Sequence, residues 1–122
     1  MNTLISRFTI PKDRFSGAVL VTGASGCIGA WVVASLVASD VKVIASDLSV
    51  DRRRASLVIG ADAAADVIWE CCDVTDSNAV HALAQKYDLQ AIIHLAGLQV
   101  PFCAANPALG ARVNVEGTIN VL

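Results

Sequence analysis

Residues 18–29 read AVLVTGASGCIG, an apolar run followed by a turn that contains three glycines. The apolar run predicts a buried strand, and Cys27–Ser39 predicts a helix that begins inside the turn. Gly23 permits a tight turn with positive φ, Gly26 lets the backbone approach an anion, and Gly29 lets the helix pack closely on the strand. The unpaired N–H groups at such a helix start attract phosphate. This stretch therefore predicts a pyrophosphate site.

A second apolar stretch, Val41–Ser46, predicts another strand and runs directly into Asp47. A carboxylate about twenty residues after the glycine turn is the usual acceptor for a ribose 2′-hydroxyl in dinucleotide sites. Arginines at positions 52–54 could instead pair with the 2′-phosphate of NADP, or they could form the solvated first turn of a helix. Because Asp47 would repel a 2′-phosphate, the sequence favours NAD over NADP.

The chain alternates between short apolar runs and helical patterns, which predicts a doubly wound parallel α/β sheet with about four strands. Residues 1–16 are expected to form a lead-in or a poorly ordered arm, and residues 17–122 a truncated dinucleotide-binding Rossmann domain. The predicted strands are Ala18–Thr22, Val41–Ser46, Val67–Cys72 and Ala91–Leu95. The predicted helices are Cys27–Ser39, Asp51–Ile59, Asp76–Tyr87 and a fourth that starts near Pro107 with Asn106 as its N-cap.

The composition excludes several classes of protein. A hydrophobic content of 55% excludes disorder, and a net charge of −2 gives no reason to expect nucleic acid or an anionic membrane as partner. Two long uncharged stretches, 15–39 and 89–111, are interrupted by glycine or proline, which argues against membrane spans. The four cysteines lack C-x-x-C spacing, so we expect reduced thiols in a cytoplasmic protein and no metal site.

Two further positions carry functional groups near predicted strand ends. Asp73 follows the third strand, where parallel sheets bind ligands, and we favour a ligand contact over an N-cap role that Thr75 or Asp76 could fill. His94 lies within the fourth strand pattern, which favours a hydrogen-bonded core histidine over a catalytic one. The small residues Ala96 and Gly97 leave room beside that strand for a flat ring or a ribose.

The chain resembles the extended short-chain dehydrogenase/reductase family, in particular its NAD-dependent epimerase/dehydratase proteins, over about residues 17–122. Residues 22–29 match the G-x-x-G-x-x-G loop, and four further segments match in order: Asp47, 73–74, 94–97 and the helix with 106–107 and 113–122. The resemblance implies that Asn114 supports the site by structural hydrogen bonds. It also implies cofactor contacts from Gly23, Ser25, Gly26, Cys27, Ile28, Gly29, Asp47, Leu48, Asp73, Val74, Leu95, Ala96 and Gly97.

The sequence departs from that family in one respect. The family's reaction depends on a Tyr-x-x-x-Lys pair, whereas the single tyrosine here, Tyr87, has Ala91 four residues later. We therefore expect an inactive, truncated cofactor-binding part of an oxidoreductase that acts on a nucleotide sugar or another small carbonyl or hydroxyl substrate. The alternatives are a stand-alone, non-enzymatic dinucleotide-binding module and the N-terminal half of a carbonyl or hydroxysteroid-type reductase. Uncovered apolar surface near Ile119 and Leu122 predicts marginal stability and self-association.

Overall fold

The computed structural model describes residues 4–122, apart from the side chain of Lys12. Within these residues, four parallel strands form one sheet in the order β3-β2-β1-β4. Thr22 is in register with Ser46 on one side and His94 on the other, so the carboxyl ends of β1, β2 and β4 lie side by side. The predicted parallel α/β fold is confirmed. The strands are β1 (Ala18–Thr22), β2 (Val43–Asp47), β3 (Ile68–Cys71) and β4 (Leu89–His94).

Helices connect and cover the strands. The first and fourth of them end within one residue of the predicted positions, and Asn106 caps the helix at Pro107 as predicted, by accepting from the Leu109 N–H at 3.1 Å. The helices are α1 (Cys27–Ala38), α2 (Arg53–Ile59), α3 (Ala61–Asp66), α4 (Ser77–Tyr87), α5 (Val100–Ala105) and α6 (Pro107–Ala111), followed by a π-helical segment (Arg112–Glu116) and α7 (Gly117–Val121).

Side chains from the central strands are buried on both faces of the sheet, as expected for a doubly wound fold. On one face, Val19 and Val21 of β1 pack in a cluster with Val33 and Leu36 of α1. On the other face, a second cluster combines residues of β1, β2 and α4, namely Ala18, Leu20, Ile44, Val80 and Leu83. The glycine-rich loop therefore leaves a strand that is held from both sides.

The segment before β1 packs on α1. It forms two short 3₁₀ turns, Ile5–Phe8 and Lys12–Arg14, and the side chain of Ile5 is fully buried. The N–H of Ile10 donates to Ser39 Oγ at 2.8 Å. This part of the lead-in differs from the expectation of a poorly ordered arm, because Ile5 has an apolar surface on which to pack. Residues 1–3 lie outside the described residues.

Three further sequence predictions concern thiols, metals and membranes. All four cysteines are free, and Cys71 is exposed whereas Cys72 is buried, as expected for neighbours that point in opposite directions from a strand. In the part of the chain that the structure describes, no group of three metal-ligating side chains lies together. None of the helices within residues 4–122 combines the length and apolar character that crossing a bilayer requires.

Candidate functional site

A cavity of about 470 Å³ opens at the carboxyl ends of the strands. It brings together every residue predicted to contact a cofactor except Ser25, which is not among the residues that line it. The cavity also has six lining residues that sequence reasoning missed: Thr22, Ser46, Cys72, Leu98, Gln99 and Val113. Three of these residues could have been predicted from the sequence, because each is the last residue of a predicted strand: Thr22, Ser46 and Cys72.

The glycine-rich loop needs at least two of its glycines for steric reasons. Gly23 has φ +68°, and a Cβ there would lie 2.7 Å from the backbone N of Ala96. A Cβ on Gly29 would lie 2.1 Å from the carbonyl oxygen of Gly23, well inside van der Waals contact. The predicted positive φ at Gly23 is confirmed. Gly29 does allow close packing, but the backbone that it meets is that of the loop residues Gly23 and Ala24, just after the strand, rather than the strand itself.

The N-terminus of α1 lacks a side-chain cap, since Gly26 occupies the N-cap position. The first-turn N–H groups of a helix have no acceptor within the helix, and Cys27 and Ile28 of this turn line the cavity. In α4, by contrast, Asp76 Oδ1 accepts from the N–H groups of Asn78 and Ala79 at 3.0 and 3.1 Å. The start of α1 therefore presents unpaired donors and the positive end of a twelve-residue helix to the cavity.

The carboxylate of Asp47 stands at the end of β2, on the cavity wall. Its Oδ2 accepts from the Ser25 N–H at 3.0 Å, and its Oδ1 accepts from the Leu48 N–H at 2.8 Å. Two carboxylate oxygens offer about four acceptor positions. After these two backbone bonds, Asp47 still has acceptor capacity for hydroxyl groups in the cavity.

Ser25 ties the glycine-rich loop to the segment that follows β2. Its Oγ donates to the Ser49 carbonyl and accepts from the Asp51 N–H, both at 3.2 Å. Its own carbonyl accepts from Arg54 Nη1 at 2.9 Å. Arg53 pairs with Asp51 at 2.7 Å, and this contact lowers the pKa of Asp51 to about 2. Two of the three arginines therefore contact protein groups next to the cavity.

Asp73 lines the cavity beyond the end of β3 and is exposed. Its Oδ1 accepts from the backbone N–H of Thr75 at 2.9 Å and from the Thr75 hydroxyl at 2.8 Å. Because Asp76 caps α4, Asp73 does not have that role. Its contact with a ligand stays a prediction.

The wall beyond β4 is held by Asn114, which lies in the π-helical segment. Its Oδ1 accepts from the Leu98 N–H at 2.7 Å, and its Nδ2 donates to the Leu98 carbonyl at 2.9 Å. The side chain of Asn114 thus bonds both backbone groups of one cavity residue, the structural role that the family resemblance implies. π-Helical turns recur at functional sites, but this one has no clear sequence signal.

His94 is half-buried, with a hydroxyl at each ring nitrogen. Nδ1 lies 2.7 Å from Thr22 Oγ1, and Nε2 lies 3.3 Å from Thr118 Oγ1. Burial lowers the pKa of His94 below its ordinary value, which favours the neutral ring at pH 7. The predicted hydrogen-bonded histidine is confirmed, and the partner Thr118 was missed.

Comparisons with known proteins agree with this geometry. At 30% identity, the chain aligns over 112 residues with UDP-glucose 4-epimerase 2 of Oryza sativa subsp. japonica, covering 85% of the chain and 27% of that protein. The structure resembles L-threonine dehydrogenase of Clostridium difficile with a TM-score of 0.71 and 34% identity, covering 88% of the chain and 32% of the enzyme. It also resembles Thermus thermophilus UDP-glucose 4-epimerase in complex with NAD, with a TM-score of 0.69, 26% identity and coverage of 85% and 32%.

The chain thus spans about a third or less of the length of these relatives. The sequence profile of the NAD dependent epimerase/dehydratase family matches residues 19–122, which include every segment that lines the cavity. The chain belongs to the NAD dependent epimerase/dehydratase family.

Proposed function

We propose that this chain is the NAD-binding part of an epimerase/dehydratase-like oxidoreductase. The observation that carries the proposal is the uncapped start of α1, which opens onto the same cavity as the carboxylate of Asp47. A dinucleotide needs both features, since it combines a pyrophosphate with ribose hydroxyls. Family membership supports the same reading.

The order of the strands suggests how the cofactor lies. The pyrophosphate would lie against the N–H groups of Cys27 and Ile28 after β1, and Asp47 would accept from the adenosine ribose. Asp73 and Val74, farther along the same side, would flank the adenine. The other half of the cofactor would then extend to the opposite side of β1, where Leu95–Gly97 follow β4. When bound, the nicotinamide supplies the hydride acceptor or donor for the reaction.

Charges at the adenosine end support NAD over NADP. The carboxylate of Asp47 would repel a 2′-phosphate at the position where it accepts from a 2′-hydroxyl. Arg54 donates to the Ser25 carbonyl and Arg53 pairs with Asp51, so both guanidiniums already have protein partners.

The chemical step needs a proton donor. These 122 residues do not contain the Tyr-x-x-x-Lys pair on which the family's reaction depends. Tyr87, at the end of α4, donates to Glu70 of β3, and both ring nitrogens of His94 contact hydroxyl groups. We propose that residues beyond this sequence supply the acid and bind the substrate, a nucleotide sugar or another small hydroxyl or carbonyl compound. The isolated chain should then show no NAD-dependent turnover in absorbance assays, and turnover abolished by His94→Gln would contradict this.

Isothermal titration calorimetry of the 122-residue chain with NAD⁺ and NADP⁺ tests the cofactor proposal. We expect saturable binding of NAD⁺ with a 1:1 stoichiometry and weaker binding of NADP⁺. Tighter binding of NADP⁺ would instead favour the arginines at 52–54 as a phosphate site. An absence of heat with either dinucleotide, confirmed by an independent binding assay, would reject the cofactor site itself.

A further inference from the structure

The hydrogen bonds around Thr22 fix the direction of its own hydroxyl hydrogen. The N–H of Ala96 donates to Thr22 Oγ1 at 3.2 Å, and the N–H of Leu95 is shared between Thr22 Oγ1 at 3.1 Å and the Thr22 carbonyl at 3.2 Å. A hydroxyl oxygen has two acceptor positions and one donor hydrogen. Since the two N–H groups occupy the acceptor positions, the hydroxyl must donate in its remaining short contact, which is with His94 Nδ1 at 2.7 Å. His94 Nδ1 is therefore an acceptor without a hydrogen.

The second ring nitrogen leads independently to the same tautomer. Thr118 Oγ1 lies 2.7 Å from the backbone carbonyl of Asn114, and a carbonyl can only accept, so this hydroxyl donates to it. The oxygen of Thr118 is then available as acceptor for His94 Nε2 at 3.3 Å. Nε2 must carry the hydrogen. The contacts at both ends of the ring thus agree on a hydrogen at Nε2 and none at Nδ1, and burial favours the neutral ring over the charged one.

This series of hydrogen bonds connects two sets of contacts that fix one wall of the cavity, those of Thr22 and those of Asn114. Residues Leu95–Gln99 form that wall. Thr22 bonds its beginning, through the N–H groups of Leu95 and Ala96, and Asn114 bonds both backbone groups of Leu98. His94 connects Thr22, at the end of β1, with Thr118, which lies one helical turn after Asn114.

We infer that His94 is a positioning residue for the cofactor: in its Nε2–H tautomer it couples Thr22 to Thr118 and thereby fixes segment 95–98 along the cavity. The inference rests on the proposed NAD site, because it assigns that segment to the nicotinamide half of the dinucleotide. It gives the histidine a role in binding that requires neither contact with the ligand nor proton transfer. The N–H groups at the start of α1 and the carboxylate of Asp47 should not depend on it.

Binding of NAD⁺ and of ADP to the same variants separates positioning from general destabilisation. ADP carries the adenosine and the pyrophosphate but lacks the nicotinamide half. In His94→Phe, which removes both hydrogen bonds, we expect NAD⁺ affinity to fall about tenfold while ADP affinity changes by less than about twofold. His94→Gln, whose amide can still donate toward Thr118, should lie between His94→Phe and the unsubstituted chain. Equal losses for both ligands, or no loss for either, would overturn the inference.

A second measurement uses only the unsubstituted chain, so its result does not depend on whether a variant folds. ¹⁵N-labelled histidine spectra of the unsubstituted chain report which ring nitrogen carries a hydrogen, and we expect a protonated Nε2 and a bare Nδ1 at neutral pH. The Nδ1–H form would overturn the inference even if NAD⁺ binds as proposed. If the spectra agree but the unsubstituted chain binds neither ADP nor NAD⁺, the proposed cofactor site fails and the role of His94 in binding fails with it.

Discussion

The backbone N–H of Ser25 donates to Oδ2 of Asp47 at 3.0 Å, which joins the glycine-rich loop directly to the carboxylate at the end of β2. The two parts of the proposed dinucleotide site are therefore mechanically linked. Asp47 both positions the loop and offers remaining acceptor capacity to a ribose. Substitutions at this residue should affect cofactor binding through both roles, and the two can be separated.

Asp47→Ala removes the charge and the acceptor for Ser25, and should weaken NAD⁺ binding by about 1–3 kcal/mol because a hydroxyl and an N–H lose their partner. Asp47→Asn keeps one oxygen acceptor, so its loss should be smaller. Both variants should bind NADP⁺ better relative to NAD⁺, because the charge that repels a 2′-phosphate is gone. Calorimetric titration of the unsubstituted chain and both variants gives their affinities for each dinucleotide. Equal NAD⁺ affinity for Asp47→Ala and the unsubstituted chain would contradict the assignment.

Two glycine substitutions should separate folding from binding. A Cβ at position 29 would meet the backbone oxygen of Gly23 at 2.1 Å, so Gly29→Ala should destabilise the fold by about 1–3 kcal/mol or more. At position 26 the corresponding distance to the same oxygen is 3.1 Å, which a small shift relieves. Gly26→Ala should therefore leave the urea midpoint nearly unchanged but weaken NAD⁺ binding, because its methyl group adds bulk where the phosphates approach. A larger drop in the urea midpoint for Gly26→Ala than for Gly29→Ala would show that the loop packs differently from this structure.

The free energy of unfolding should decrease with acidification over a pH range set by the pKa of His94. Burial lowers the folded-state pKa of this residue below its ordinary value of 6.5, so the unfolded chain binds the proton more readily. The free energy of unfolding should be undiminished above pH 6.5 and should decrease as the pH drops through 6.5 toward the lower folded-state pKa. Glu70, whose pKa is lowered chiefly by Lys86, loses its contribution only below its ordinary value of 4.5.

Urea unfolding at about pH 7.5 and about pH 5.5 measures this difference. In His94→Gln the difference between the two conditions should shrink, whereas the exposed His81 remains in both proteins as an internal control. An unchanged pH dependence in His94→Gln would assign the effect to other groups.

Self-association should depend on the exposed face of the last helical segments. Val115 and Ile119 are four residues apart, with 59% and 65% of their surfaces exposed, so they form one apolar patch. Light scattering at increasing concentration should show association, and Ile119→Glu should reduce it. Leu57→Glu, at an 85% exposed position on α2, serves as the matched control and should have less effect. Association reduced equally by both variants would point to non-specific contacts.

The central part of the fold could be predicted because local sequence and tertiary structure favour the same result there. Residues 18–38 combine a fully buried strand, glycines at sterically restricted positions and an uncharged helix, and the structure agrees within one residue. Asp76 and Asn106 were predictable as N-caps because their side chains bond N–H groups nearby in the sequence.

Other elements lacked such a local signal. The short helix α3 has the sequence ADAAAD, without an apolar stripe, and Gly60 with φ +92° separates it from α2. The contacts of Arg54 with Ser25 and of His94 with Thr118 join residues 29 and 24 positions apart. Such contacts depend on how the strands align, so no local pattern predicts them.

If NAD binds across the carboxyl ends of β2, β1 and β4, an NMR titration of the ¹⁵N-labelled chain with NAD⁺ should locate it residue by residue. We predict shifts of the amide signals of Gly26–Gly29, of Leu48 and of Leu95–Gly97, which saturate together. Signals at the opposite end of the sheet, around Val41–Val43, should stay in place. Shifts confined to that opposite end, or no shifts at all, would contradict this position of the cofactor.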